Sequence, residues 1–311
     1  MAGQARSHST GAPCRWAAAL GGCDSHEHGR HVRDLRSHRV HLVRRGERAT
    51  GNPFGVVEAI LGLAAGLLLS IVAVSVYGSA THTAASDITY GKTVVSLIAL
   101  WVGFAGAAAA ASKVHAAGAT RGETELEQAT SGRLVQSGTG SVVADYGFAL
   151  RPWPDLPLGI VVGIASQFLL VPLLELPLQP FVPHLTQKLG HPTRQLLGPA
   201  TSSGTAGLVV LAILICVGSP VVEELFFRGL VLRGLLGRLT ALGPRLAPAI
   251  SIVVTGLFFA LVHFETLQFL GLAGFGMVLG LMAWRTGRLG ASIVAHMAFN
   301  ASTVVAYVLT H

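Results

Sequence analysis

The sequence predicts an all-α fold: a polytopic transmembrane helical bundle of seven to eight spans, with a polar cavity inside the membrane. Three observations lead there. Hydrophobic residues make up 51% of the 311-residue chain and charged residues only 12%, against about 25% charged in an ordinary soluble domain. The apolar residues gather into windows long enough to cross about 30 Å of hydrocarbon as helices. Several acids, histidines and an asparagine fall inside those windows, where an ionised group costs about 2.5–3.5 kcal/mol on insertion scales and persists only with a partner or a purpose.

Residues 1–54 are rich in Arg, His, Gly and Ser and show no sustained apolar periodicity, so a disordered basic arm that touches anionic lipid is expected there. Cys14, Cys23, His26 and His28 in this arm match no zinc-ligand spacing, and together with Cys216 the cysteines read as reduced thiols. The first apolar windows are Val56 to Tyr77 and Thr93 to Ala111. They form a second block, residues 55–155, with a polar linker that carries Glu123, Glu125 and Glu127 and closes on DYGFALRPWPD. The third block, residues 156–311, holds windows at Leu158 to Glu175, Thr205 to Phe227, Ala249 to Phe264, Leu267 to Trp284 and Leu289 to Leu309. Glu58 and Glu175, near window ends, read as interfacial, and Glu265 as part of a short outer turn.

A formal net charge of +7 raises nucleic acid as a partner, but the distribution of the cations argues for membrane orientation instead. With a cytoplasmic N-terminus, nine Lys and Arg lie inside before residue 50, four in 113–151, four in 228–245, and two at Arg285 and Arg288. Only Lys92, Lys188 and Arg194 of the 22 fall outside. The expectation is therefore a multi-pass plasma-membrane protein with its N-terminus in the cytoplasm, the bilayer as partner and no nucleic acid.

The stretch SPVVEELFFRG, Ser219 to Gly229, concentrates the charge. Glu224 and Arg228 are i, i+4 in the favourable order and can neutralise each other. Glu223 points about 100° away round the helix and must seek a partner elsewhere. Pro220 has no N–H and should open the helix ladder just before the two acids, making room for a polar pocket. Downstream, Phe259 and His263 in FALVH are i, i+4, as are His296 and Asn300 in HMAFN. Taken singly, an intramembrane His or Asn is most simply an interhelical hydrogen bond, and Phe259 is most simply core packing. Two histidines, an asparagine and a spare carboxylate from three helices are, together, the parts that activate a water and stabilise an oxyanion.

EELFFR, FALVH and HMAFN resemble the three ordered motifs of the CAAX protease and bacteriocin-processing family, also called the Abi family of intramembrane proteases, over about residues 220–309. DYGFALRP is similar to the short segment that bacterial members carry before that domain. The resemblance implies a membrane endopeptidase acting on a membrane-anchored or lipidated protein or peptide, as the CAAX prenyl protease relatives do. Carried over by motif position, Glu223 and His263 would activate water, His296 and Asn300 would bind the oxyanion, and Glu224, Arg228 and Phe259 would support them. The family is often labelled metalloprotease, yet the chain has no HExxH. Either no cofactor is required, or one zinc ion is held by Glu223, His263 and His296 with water as fourth ligand.

Two other classes fit buried acids and histidines: a proton- or ion-coupled transporter, which the lack of internal repeats disfavours, and a non-catalytic scaffold on the same fold. The terminal Val-Leu-Thr-His lacks a CAAX cysteine, so the chain does not read as a substrate of such a protease. One geometric demand follows. If the fourth helix ends at Phe227, Glu223 lies about 21 Å from the depth of His263. The simplest way to bring them level is for that helix to run on from about Leu208 to Leu235, with tilt or a later start of the fifth helix closing the rest of the gap.

Overall fold

The computed structural model describes residues 55–122, with side chains as far as 116, and residues 139–310. The basic arm, its cysteines and histidines, and the acidic cluster Glu123, Glu125 and Glu127 lie outside the described residues. Among the described residues the regular structure is helical and no strand occurs. The helices are α1 (Val56–Thr81), α2 (Tyr90–Gly122), α3 (Val142–Tyr146), α4 (Pro152–Leu178), α5 (Leu185–Leu189), α6 (His191–Ser202), α7 (Gly204–Arg238), α8 (Gly243–Leu261), α9 (Phe269–Thr286) and α10 (Gly290–Thr310). Seven of them, all but α3, α5 and α6, are long and apolar enough to cross a membrane. Their outward faces carry exposed Leu61, Ile71, Val161, Leu169 and Leu261, the pattern of a bundle whose solvent is lipid.

Helices α1 and α2 form an antiparallel pair that closes through glycine. A Cβ on Gly103 would come within 2.9 Å of the Gly62 carbonyl, so the two backbones touch where side chains would hold them apart. At one end Glu58 accepts from the Gly55 N–H (2.9 Å) and pairs with His115 Nε2 (2.9 Å). Glu58 thus ties the two helices together at one end. Phe104 of α2 then stacks on Phe226 of α7 at 4.1 Å, and Phe226, Phe227 and Phe259 continue edge-to-face into α8. The two phenylalanines of EELFFR therefore couple α2 to α8.

The segment DYGFALRP is a clip. Gly147 stops α3 in the left-handed region (φ 62°), and its carbonyl accepts from Leu289 N (2.9 Å) while the Ala149 carbonyl accepts from Gly290 N (3.1 Å). Tyr146, fully buried, donates to the Ala108 carbonyl at 3.0 Å. Asp155, also buried, receives Arg288 Nε (3.0 Å) and Nη2 (2.5 Å). Four backbone and side-chain bonds thus hold the start of α4 to the start of α10. These two helices then pack along Gly159 and Gly163, where a Cβ would meet Val294 at 2.6 Å and Ala298 at 2.8 Å.

Two prolines are absorbed by the same device. In α4 and in α7 a five-residue π-turn (Ser166–Leu170 and Leu214–Gly218) is followed by one residue and then by Pro172 or Pro220. The wide turn moves the carbonyl that a proline ring would strike, so the helix continues instead of breaking. Helix α7 consequently runs unbroken for 35 residues. It continues eleven residues beyond Phe227, where the fourth apolar window ends, and includes the whole Leu208 to Leu235 stretch that the depth argument demanded.

The fifth window differs in the other direction. Helix α8 ends at Leu261, and Val262 to Phe264 form a turn closed by the left-handed Phe264 (φ 56°). His263 therefore sits just past the helix rather than within it. Helices α8 and α9 cross with Gly256 and Gly276 in contact, a Cβ on Gly276 lying 3.0 Å from the Gly256 Cα.

Candidate active site

The charged stretch of α7 lies in the protein interior and its members separate into two groups. Glu224 and Arg228 are completely buried and meet at 2.7 Å. Arg228 uses its second terminal nitrogen on the Gly276 carbonyl (3.0 Å) and stacks over the Phe259 ring at 4.6 Å. These contacts repay part of the desolvation that a buried ion pair suffers. The same Glu224 oxygen also receives His296 Nδ1 at 3.0 Å. An ionised carboxylate only accepts, so Nδ1 carries a proton and Nε2 is turned away from Glu224, where a protonated ring also donates. Glu224 thus orients His296, and Arg228 orients Glu224.

Glu223 lies on the other side of α7 and faces a cavity of about 880 Å³. Its Oε2 is buried with no hydrogen-bond partner among the described residues, 3.9 Å from His296 Nε2. That spacing is too long for a direct hydrogen bond and suits a bridging water. Phe259, His263, His296 and Asn300 line the same cavity. Glu224 and Arg228 do not; they lie behind it.

The orientation of the other two polar groups follows from backbone carbonyls freed by local structure. Past the end of α8, Val262 N bonds to Phe258 O and His263 N to Ala260 O, which skips the carbonyl of Phe259. His263 Nδ1 donates to that carbonyl at 2.6 Å. This leaves Nε2 with its lone pair in the neutral ring, on a side chain that lines the cavity. In the π-turn of α7, Ser219 N reaches back five residues to Leu214 O. The next bond in that register would run from residue 220 to Ile215 O, and Pro220 has no hydrogen to give. Asn300 Nδ2 supplies it instead, at 2.9 Å. One N–H and the carbonyl of the Asn300 amide remain uncommitted. The proline and the asparagine, 80 positions apart, are therefore parts of one arrangement.

His263 does not approach Glu223 to ion-pair distance, whereas His296 does. A zinc ion takes its nitrogen and oxygen donors at about 2 Å. Each histidine gives Nδ1 to an acceptor and keeps Nε2, an orientation that a zinc ligand also takes, but among the described residues no three of His, Cys, Asp and Glu come together as a metal-holding set. The Glu223, His263 and His296 triple is therefore not assembled as zinc ligands.

Sequence reasoning gave one acid of the cavity no part in the site. Glu175, read as interfacial, is 94% buried (6% exposed) and lines the cavity from the end of α4. Its signal in the sequence is the one that singled out Glu223: a carboxylate closing an apolar run, beside a proline, in VPLLELP.

The arrangement offers a carboxylate and an imidazole nitrogen with unused proton-accepting capacity, together with two groups able to donate, around a space open to a substrate. No curated protein and no solved structure matches the chain. A family model does: residues 205–302 match Rce1-like, the type II CAAX prenyl endopeptidases. The match spans Glu223, Glu224, Arg228, Phe259, His263, His296 and Asn300, so over residues 205–302 this multi-pass membrane protein is similar to the Rce1-like type II CAAX prenyl endopeptidases.

Proposed function

We propose that the chain is an intramembrane endopeptidase that hydrolyses a peptide bond of a membrane-anchored or lipidated protein or peptide, with Glu223 as the principal base. The observation that carries this is the free Glu223 Oε2, buried against the cavity 3.9 Å from His296 Nε2. A water held there loses a proton to Glu223 as its oxygen attacks the scissile carbonyl carbon. The carbonyl electron pair moves onto oxygen. His296 Nε2–H, on an imidazolium stabilised through Nδ1 by Glu224, and the spare N–H of Asn300 receive that oxyanion. The C–N bond then breaks as the protonated carboxyl returns its proton to the departing nitrogen. His263, its Nε2 lone pair on the same cavity, serves as second base, acting through the cavity water rather than through contact with Glu223. The balance is one water consumed, one carboxylate and one amine formed. The cation distribution supports a plasma-membrane location with the N-terminus in the cytoplasm.

The test uses the full chain in proteoliposomes with acyl-anchored, internally quenched peptides. Glu223→Gln should lower cleavage at least about 10²-fold, the usual scale of a lost general base, with no drop in thermal unfolding midpoint. His263→Asn should also lower the rate. A chelator should leave the wild-type rate unchanged, because no metal-holding set is assembled. Unchanged cleavage by Glu223→Gln refutes the assignment. Solute uptake abolished by the same substitution, with no cleavage by the wild type, identifies a transporter instead.

A further inference from the structure

We infer that Glu175 forms a cation-recognising subsite of the cavity, selecting substrates that place a lysine or arginine side chain beside the scissile bond. The inference rests on the endopeptidase reading and deepens it. Glu175 takes no part in the water-activating chemistry, yet the residue is more than nine-tenths buried and lines the same cavity as Glu223. No hydrogen bond or ion pair to its side chain occurs among the described residues. Asp155 and Glu224, the other fully buried acids among the described residues, are each met by an arginine. Glu175 alone among these three waits for a counter-charge.

Two features of the surroundings suit a carboxylate that meets a cation. The carboxylate lies over the first turn of α9, where Oε1 would stand 2.9 Å from a Cβ on Gly271. The partial positive charge of a helix start supports an anion there. Gly271 is what lets the group sit so close, since any side chain would displace it. The charged side chains of the cavity wall are Glu175, Glu223 and Glu265 against Arg194, with His263 and His296 as the titratable rings. Arg194 is exposed and spends Nη2 on the Gln187 carbonyl at 2.6 Å. The wall is thus net acidic, and a cationic substrate group is both attracted to it and able to end the isolation of Glu175. An acidic side chain at the same position would add a further negative charge and should be rejected.

The experiment compares wild type, Glu175→Gln and Glu175→Lys in proteoliposomes, using acyl-anchored quenched peptides identical except for Lys, norleucine or Glu at one scanned position on either side of the cleavage point. In the wild type one position should show a Lys over norleucine preference in kcat/KM of about ten- to a hundredfold, the scale of a hydrogen bond to a charged group. Glu175→Gln keeps size and hydrogen bonding but loses charge, and should bring that ratio close to one. Glu175→Lys should turn the preference towards Glu. Thermal unfolding confirms that each variant is folded, and Glu175→Asp supplies a second folded variant, in which the Lys preference should persist. A preference that survives in Glu175→Gln, or no preference at any position, overturns the inference while leaving the endopeptidase reading intact. If the wild type cleaves no peptide, the endopeptidase reading fails instead. Fluorescence anisotropy binding of the Lys and norleucine peptides then decides the subsite: equal affinities overturn it, and a Lys preference abolished by Glu175→Gln upholds it.

Discussion

Replacing Arg228 by methionine removes three contacts at once: the 2.7 Å pair with Glu224, the bond to the Gly276 carbonyl and the stacking over Phe259. Glu224 is left as an uncompensated charge with no exposed surface. Breaking a buried pair from one side costs about 3–5 kcal/mol, out of a total stability of about 5–15 kcal/mol. For a chain of this size each kcal/mol moves the unfolding midpoint by about 2–4 °C, so Arg228→Met should unfold about 6–20 °C early in detergent, followed by tryptophan fluorescence. The double variant Glu224→Gln/Arg228→Met removes both charges and keeps an acceptor for His296 Nδ1. It should recover most of the loss, giving a coupling of at least about 2 kcal/mol in the cycle. Activity should not recover with it, because a neutral amide no longer supports the His296 imidazolium. The reasoning is refuted if Arg228→Met alone stays within about 1 kcal/mol of wild type, or if the double variant is no more stable than the single one.

Two further outcomes follow from the geometry. Asn300→Leu should lower cleavage about 10²–10³-fold by deleting an oxyanion donor and cost about 1–3 kcal/mol by leaving the Ile215 carbonyl unpaired. Adding Pro220→Ala gives that carbonyl a backbone N–H and should restore the midpoint without the rate, so a recovered rate would remove Asn300 from the reaction. Asp155→Asn strips Arg288 of its counter-charge at the clip between α4 and α10. The midpoint should fall by about 3 kcal/mol equivalent while the folded protein cleaves at its usual rate, and an unchanged midpoint would show that the backbone bonds of the clip suffice.

What the sequence shows and hides can be traced residue by residue. The spans are legible because hydrocarbon demands length and apolarity, and both are written locally. The Glu224 and Arg228 pair is legible from i, i+4 spacing, which also isolates Glu223. The true length of α7 is hidden because Glu223, Glu224, Arg228 and Arg233 cut the apolar window short, although three-dimensional partners such as the Gly276 carbonyl and the Phe259 ring make them tolerable. The end of α8 is hidden because Phe264 takes a left-handed conformation that glycine or asparagine would have announced. Asn300 could be placed on the right face but not given its partner, since the partner depends on the register of a π-turn. The place of Glu175 on the cavity is hidden because nearness to a window end says nothing of which side chains from distant segments, such as Leu185 and Leu189, line the same space.

The length of α7 has a consequence for any peptide that the cavity receives. At 1.5 Å per residue, Glu223 stands about 28 Å from the start of a helix that spans about 50 Å, well inside both of its ends. A peptide bond at that depth is normally shielded by its own helix, each carbonyl tied to the amide four residues on. Water can reach the carbon only once that coil is undone, and every freed amide left bare costs several kcal/mol. Gln167 on the cavity wall, its Oε1 unpartnered among the described residues, would be a substitute partner for an uncoiled strand. Ease of unwinding, set by glycine, proline or nearness to a helix end, should therefore govern which segments are cut as strongly as the identity of any one side chain.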